Sequence, residues 1–180
     1  MILDNENIKL RALEPEDLDI LYKWENDTDL WRLSSTLVPY SRYDLKQYIS
    51  LAKDIYESKQ LRLIIETKNE AIGTIDLYDF DAFNSRAAVG IMIDKAYQKN
   101  GFATEALSLL CEYSFSFLKL HQLYAFIPVT NTPSIKLFER CGFKDKGLLT
   151  DWSQTANGYI DVKLVSLIKT ISSMSDLQGN

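Results

Sequence analysis

The chain has 180 residues, of which 46% are hydrophobic and 25% charged, a composition typical of a single globular domain and not of a disordered segment. Its formal net charge of −5 argues against nucleic acid as the main partner, because phosphate backbones attract basic surfaces. No apolar run reaches the length of a membrane span, and the first residues lack the basic and apolar regions of a signal peptide. We therefore expect a cytoplasmic protein that has neither nucleic acid nor a membrane as partner.

The two cysteines, Cys111 and Cys141, are too few for a disulfide framework and form no metal-binding motif. Both stand in apolar surroundings, where cysteine packs as a small hydrophobic side chain. The sequence therefore predicts no metal site and is compatible with a reducing compartment.

The first third of the chain predicts one strand and two helices. Residues 8–13 alternate between polar and apolar side chains, as a strand does. Pro15 and the acids beside it suit the first turn of a helix, which the polar run 26–29 interrupts. Ser41 and Asp44 have the spacing of a capping box, and the helix that they open is expected to end near Lys59.

The next segments predict a hairpin and then a buried strand. Residues 62–67 and 71–77 read as two strands joined by the turn 68–70. A polar connection, residues 79–86, leads to the apolar run 87–93, which is short enough to be one buried strand.

Residues 98–103 form a glycine-bearing loop between that strand and a helix predicted over residues 104–118. The start of a helix leaves backbone N–H groups without partners and carries partial positive charge, so it is suited to bind phosphate. Gly101 lets the backbone approach a ligand without a Cβ in the way. The loop matches neither the Walker pattern nor the dinucleotide-binding pattern, and on these residues alone an ordinary strand-to-helix turn is the favoured interpretation.

The last part of the chain completes the predicted sheet. Residues 122–129, 143–149 and 159–168 read as strands, and a short helix is predicted over residues 133–140. The total is about seven strands and about four helices in one mixed α/β domain over residues 1–170, followed by a polar tail at residues 171–180. The hairpins predict a mostly antiparallel sheet, and the strand–helix–strand unit around the loop predicts one parallel pair.

Three segments carry a resemblance to a known family. They are Gln98-x-x-Gly101-x-Ala103, then Asn131-x-x-Ser134-x-x-Leu137-Phe138-x-x-x-Gly142-Phe143, and finally Leu10-Arg11-Ala12-Leu13-Glu14-x-x-Asp17 together with Gly158-Tyr159-Ile160-Asp161. In order and spacing they resemble the GNAT superfamily of acetyl-CoA-dependent N-acetyltransferases over nearly the whole chain. The first and last parts are similar to the branch that holds ribosomal-protein N-terminal acetyltransferases and spermidine acetyltransferases.

The resemblance implies that acetyl-CoA binds where the sheet splays between strands 87–93 and 122–129. Strand backbone would hold the pantetheine arm, loop amides would hold the pyrophosphate, and a side chain of the second segment would bond the arm from the far side. The implied cofactor contacts are Ile91, Met92, Ile93, Gln98, Lys99, Asn100, Gly101, Phe102, Ala103, Thr104, Asn131 and Ser134. Without the resemblance, Asn131 is also consistent with a turn residue before a proline, and Ile91 and Ile93 are also consistent with core residues.

Both proton-transfer residues that the resemblance implies are replaced in this chain. The tyrosine that many relatives use as a general acid corresponds to Phe138, and the glutamate that several use as a base corresponds to Ala88. Asp76, on a strand between apolar neighbours, is then the best candidate for a base, and Ser134 is a candidate hydroxyl. The predicted catalytic positions are therefore Asp76, Ser134 and Phe138.

The resemblance also places the amine acceptor under the first helices and the loop that joins them. Acidic and aromatic side chains suit an ammonium group, and the expected contacts are Asp29, Trp31, Tyr40, Asp76, Tyr78 and Asp79. For Asp79 a solvated acidic connection is an equally valid interpretation. The spermidine enzymes carry an acidic pair before a Pro-Tyr, whereas here Leu37 and Val38 precede it.

The predicted function is direct transfer of acetyl from acetyl-CoA to a primary amine, either a small amine or a polyamine-like acceptor. A protein N-terminal acetyltransferase and a non-catalytic acyl-CoA-binding protein are the alternatives. A homodimer is compatible with the sequence.

Overall fold

The computed structural model describes residues 3–34, 37–51, 54–155 and 157–169. Within them seven strands form one sheet in the order β1-β2-β3-β4-β5-β7-β6. Their bounds are β1 Lys9–Arg11, β2 Leu61–Thr67, β3 Glu70–Asp81, β4 Arg86–Ile93, β5 Gln122–Pro128, β6 Lys144–Thr155 and β7 Gly158–Ile168. Only β4 and β5 pair in parallel, and every other neighbouring pair is antiparallel. The predicted mixed sheet is confirmed, whereas the predicted tail at residues 171–180 lies outside the described residues.

Six α-helices occur in the described ranges, two more than the sequence analysis predicted. They are α1 Leu18–Glu25, α2 Thr28–Ser34, α3 Arg42–Ser50, α4 Ile55–Ser58, α5 Phe102–Glu112 and α6 Thr132–Arg140. The interruption after α1 is shorter than expected, because a new helix already begins at Thr28.

The predicted helix over residues 41–59 was wrong, since α3 and α4 are separate. Its start is as expected: the Ser41 hydroxyl accepts a hydrogen bond from the Asp44 amide at 3.0 Å. α4 has its own cap, because the Asp54 side chain accepts from the Tyr56 amide at 2.7 Å. Lys59 ends it in a left-handed conformation with φ 57°.

Half of the polar connection predicted at residues 79–86 belongs to strands, and the turn between them is confined to residues 82–85. β3 continues to Asp81, and the register with β4 shifts between Tyr78 and Asp81. Asp79 occupies this bulge with φ 49°, so the ladder resumes one step later. β6 is also longer than predicted, because the hairpin with β7 extends its pairing to Thr155.

The two faces of the sheet bury different helices. Leu107 and Leu110 of α5 belong to the large cluster on one face. Leu21 and Trp24 of α1 pack in a smaller cluster that includes Ile64 of β2. Both helices bury an apolar stripe, which is the usual source of helix stability in a folded domain.

The motif at residues 10–17, which carries part of the family resemblance, has a structural explanation. The Arg11 guanidinium binds both carboxylate oxygens of Asp17, at 2.7 and 2.8 Å. Its Nε also donates to Glu66 at 2.5 Å. The bidentate pair and the Glu66 contact together join β1, the start of α1 and β2, so this motif fixes the position of α1 on the sheet.

Candidate active site

The parallel strands β4 and β5 pair over only three positions, from Arg86–Ala88 to Gln122–Tyr124. Beyond Ala88, β4 stays with β3 while β5 stays with β7, so the two strands diverge. A cavity of about 1210 Å³ fills the gap. Nine of the predicted site residues line it: Asp29, Trp31, Asp76, Tyr78, Ile91, Met92, Asn131, Ser134 and Phe138.

The glycine-bearing loop presents unused backbone donors. In the described part of the chain, no carbonyl or side chain accepts a hydrogen bond from the amides of residues 98–103. The Gln98 side chain holds the loop against β4 by donating to the Ile93 carbonyl at 2.9 Å. The Asn100 side chain donates to the Tyr97 carbonyl at 3.1 Å. These contacts fix the loop, and the free amides at the start of α5 suit an anion.

Gly101 and Thr104 differ in their availability to a ligand. Gly101 has φ 87°, in the left-handed region, and an added Cβ would meet no atom within 4 Å. The backbone is therefore open to a ligand at this residue. The Thr104 amide, by contrast, donates to the Gly101 carbonyl at 2.9 Å, so it is already engaged.

The start of α6 closes the far side of the cavity. The Asn131 side chain caps this helix by accepting from the Ser134 amide at 3.2 Å. Its side-chain N–H₂ remains as a donor toward the cavity. Phe138, one helical turn after Ser134, is 2% exposed. Its ring packs edge-on against Phe143, with ring centroids 4.8 Å apart.

Phe138→Tyr is expected to leave acetyl-CoA affinity unchanged and to give equal or higher turnover. The ring borders the cavity, so a hydroxyl there would supply the leaving thiolate with a proton donor that phenylalanine cannot provide. Steady-state thiol release and a melting curve check this. Phe143→Tyr is the matched control, because that ring does not line the cavity, and it should bring no gain. A large loss of turnover in folded Phe138→Tyr would contradict the expectation.

A three-residue ion-pair cluster occupies the acceptor end of the cavity. Arg62 Nε donates to Asp76 Oδ1 at 2.7 Å, and an Nη donates to Asp76 Oδ2 at 3.3 Å. The other Nη donates to Glu25 Oε1 at 2.5 Å. Burial raises the pKa of the Asp76 carboxyl, and the Arg62 guanidinium opposes that rise. The long contact leaves Oδ2 with lone pairs for a water or an ammonium group.

Gly90 of β4 opens the cavity directly beside Asp76. The two residues are partners across β3 and β4. A Cβ on Gly90 would lie 3.8 Å from Asp76 Oδ2 and 3.6 Å from the Tyr78 ring. Burial raises the pKa of Tyr78 to about 12, so its hydroxyl stays protonated at neutral pH. The missing side chain leaves room for a substrate between β4 and these two groups.

Several predicted contacts lie away from the cavity. Asp79 is exposed and borders a separate shallow depression with Phe80 and Phe83. Tyr40 is 39% exposed and, like Ile93 and the loop 98–104, is not part of the cavity wall. The loop instead lies beyond the end of β4, between that strand and α5.

The sequence analysis missed Trp24, Glu25, Arg62 and Gly90, all of which line the cavity. Arg62 offered one signal, since it is a charged residue between the apolar neighbours Leu61 and Leu63, and a buried charge needs a partner. Gly90 offered another, because glycine inside a strand marks a bulge or a close approach.

Asp94, at the end of β4, anchors α1 over the cavity. Its Oδ2 accepts from Trp24 Nε1 at 2.8 Å and from Lys23 Nζ at 3.0 Å. Its Oδ1 accepts from the Ala96 amide at 3.0 Å. The Trp24 hydrogen bond is the main reason that the pKa of Asp94 falls to about 2.

Asp94→Asn is expected to lower the free energy of unfolding at neutral pH by about 1–2 kcal/mol, as for lost hydrogen bonds to a charged group. Because folding depresses this pKa, the contribution is complete above the unfolded value of about 3.9 and disappears as pH falls through about 2. Urea unfolding of the variant and the wild type at pH 7 and at pH 3 measures the difference in their free energies of unfolding at each pH. Asp19→Asn is the control, since its pair with Arg42 is exposed and contributes little. An unchanged difference at the two pH values would contradict the assignment.

Comparison with known proteins identifies the family. The family model described as "Acetyltransferase (GNAT) domain" matches residues 7–144. The chain belongs to the GNAT acetyltransferase family. It is 30% identical over 171 residues to the uncharacterized N-acetyltransferase p20 of Bacillus licheniformis, covering 93% of this chain and 96% of p20. The resemblance predicted from the three motifs is confirmed.

Solved GNAT structures are similar to this chain in fold. The spermidine N-acetyltransferase of Vibrio cholerae in complex with CoA and spermine matches with TM-score 0.82 and 28% identity, covering 91% of this chain and 96% of that one. A dodecameric structure of that enzyme matches with TM-score 0.77. The ribosomal L7/L12 acetyltransferase RimL, in complex with CoA, matches with TM-score 0.79 at 18% identity, covering 91% and 95% of the chains, a likeness of fold alone.

As a GNAT enzyme the chain is an N-acetyltransferase that uses acetyl-CoA and transfers its acetyl group to an amine. The two alternatives from the sequence analysis are not favoured by these comparisons. Among the described residues there is no cluster of side chains that could hold a metal ion. No helix in the same ranges is long and apolar enough to cross a membrane.

Proposed function

We propose that the splayed cavity performs direct acetyl transfer from acetyl-CoA to a primary amine, with Asp76 as the group that receives the proton of the amine through water. The observation that carries this proposal is the position of Asp76 Oδ2 over Gly90, in the open stretch of β4. A thioester held along this strand would lie next to a carboxylate, in a cavity large enough for both substrates.

The loop 98–103 and Asn131 bind acetyl-CoA in this proposal. The amides of the loop bind the pyrophosphate, and the side-chain N–H₂ of Asn131 bonds the pantetheine arm. The Ile91 backbone lies along the arm on the opposite side. Orientation of the two substrates supplies much of the rate, since well-placed reactants gain about 7–11 kcal/mol.

The reaction removes two protons from the acceptor nitrogen. An alkyl ammonium has a pKa near that of lysine, about 10.4, so it arrives protonated. The first proton passes through water to Asp76, and the neutral nitrogen attacks the thioester carbon. As the tetrahedral intermediate collapses, the carbon–sulfur bond breaks and the nitrogen loses its second proton to water. The thiolate takes a proton from solvent, because Phe138 carries no acidic hydrogen and thiols are acidic enough to leave as anions.

A primary-amine acceptor agrees with the names of the relatives, among which the Vibrio cholerae enzyme is a spermidine N(1)-acetyltransferase, 28% identical over 167 residues. The deciding experiment is thiol release from acetyl-CoA with a panel of monoamines, diamines, polyamines and N-terminal peptides. Turnover with a free amine is the expected result. Turnover confined to peptides, or none with any acceptor while acetyl-CoA still binds, would overturn the proposal.

We also propose that the enzyme acts in the cytoplasm and assembles with copies of itself. Two unpaired cysteines and the use of acetyl-CoA support the location. The edge strand β6 supports assembly, because Leu148 and Trp152 are 51% and 62% exposed on it and open edges invite pairing. Light scattering of the purified chain tests the predicted homodimer, and a monomer at micromolar concentration would contradict it.

A further inference from the structure

We infer that the acceptor is a monoamine with an apolar body, and not a polyamine, because the acceptor end of the cavity carries one surplus buried negative charge. This inference rests on the proposed function and specifies its substrate class. It follows from the charge balance around Arg62 and from the way in which two tryptophans are anchored.

The charge balance is set by Arg62, a cation inside the acceptor site. Glu25 and Asp76 are 20% and 14% exposed in their side chains, and both bind the same guanidinium. Among the side chains that the structure describes at this end of the cavity, two carboxylates and one guanidinium leave one negative charge for a ligand. The site can therefore neutralise one buried ammonium group.

The remaining carboxylate of the cavity wall adds little to this charge. Asp29 is 76% exposed in its side chain and binds Lys95 Nζ at 2.7 Å. Exposed charges are screened by water and salt, so Asp29 does not replace a second buried anion.

The tryptophans present apolar surface to the ligand. Trp31 Nε1 donates to the Glu25 carbonyl at 2.6 Å, and Trp24 Nε1 donates to Asp94 at 2.8 Å. With both indole donors engaged inside the protein, the rings offer hydrophobic area and π faces only. Leu30 and Leu37 extend the apolar wall.

These features match an alkylamine or arylalkylamine. Its ammonium group pairs with the free lone pairs of Asp76 Oδ2, and its body packs on the indoles. A second ammonium group on the same chain would lose water against the Trp24 and Trp31 rings without a buried counterion, which is costly. A cation–π contact offsets only part of that cost, about 0.5–2 kcal/mol.

The test compares kcat/KM for hexylamine with 1,6-diaminohexane and spermidine, using thiol release from acetyl-CoA. We expect hexylamine to be preferred at least about tenfold over the diamine, or 1.4 kcal/mol, after halving the diamine value for its two equivalent amines. Equal or better use of the diamine or spermidine would overturn this inference alone. Failure with every amine, while acetyl-CoA still raises the melting temperature, would instead overturn the proposed function and this inference with it.

A pair of variants on α1 tests the charge argument itself. Glu25 binds Arg62 and lines the cavity, whereas Asp19 pairs with Arg42 and is 81% exposed in its side chain. Glu25→Gln removes the surplus negative charge and should lower kcat/KM for hexylamine at least about tenfold, or 1.4 kcal/mol, and Asp19→Asn should leave it unchanged. Equal losses in both variants, or no loss in folded Glu25→Gln, would overturn the inference.

Discussion

Gly101→Val is expected to abolish the increase in melting temperature that acetyl-CoA gives the wild-type enzyme. A ligand at 100 times its Kd stabilises the folded state by about 2.7 kcal/mol, which is roughly 5–10 °C for a chain of this size. The open space around Gly101 is where the pyrophosphate is placed, and the two methyl groups of valine would fill it. Thermal melts with and without acetyl-CoA measure the loss.

The backbone makes a matched control necessary for this variant. Gly101 has φ 87°, and a side chain in the left-handed region costs about 1–2 kcal/mol whatever the ligand does. Gly158 has φ 119° and likewise no atom within 4 Å of an added Cβ, but it lies in the β6–β7 turn. Gly158→Val should therefore be destabilised and still respond to acetyl-CoA. A persisting shift in folded Gly101→Val would refute the loop assignment.

Asp76→Asn is expected to lower kcat/KM for the amine at least about tenfold, within the range for a proton-transfer group. The substitution removes both the anion that attracts the ammonium and the group that receives its proton. Acetyl-CoA binding should not change, because no part of the loop 98–103 contacts Asp76. The loss should shrink as pH rises toward the pKa of the amine, about 10.4, since more of the acceptor is then neutral already.

Asp79→Asn is the control for this prediction. It removes a carboxylate from the same strand, three residues along the chain, on a side chain that does not reach the cavity. Its kcat/KM should equal that of the wild type. Full activity of Asp76→Asn across the pH range would mean that the carboxylate only pairs with Arg62 and that solvent deprotonates the amine.

Local features of this protein could be predicted from the sequence because a few adjacent residues determine them. The cap at Ser41, the left-handed glycine before α5 and the Asn131 segment each depend on side chains within four positions of one another. The alternation along β3 likewise placed Asp76 and Tyr78 on one face. These patterns were enough to predict the family and nine residues of the cavity wall.

The acceptor end of the site was decided by tertiary structure alone. Glu25 and Arg62 are 37 residues apart in sequence, and only the packing of α1 over β2 brings them together. Sheet register then pairs Asp76 with Gly90, which no local pattern specifies. The charge of the cavity therefore depends on which side chains the fold brings together. The cost of desolvation requires that a buried charge have a partner of opposite charge, but it does not determine which residue that partner is.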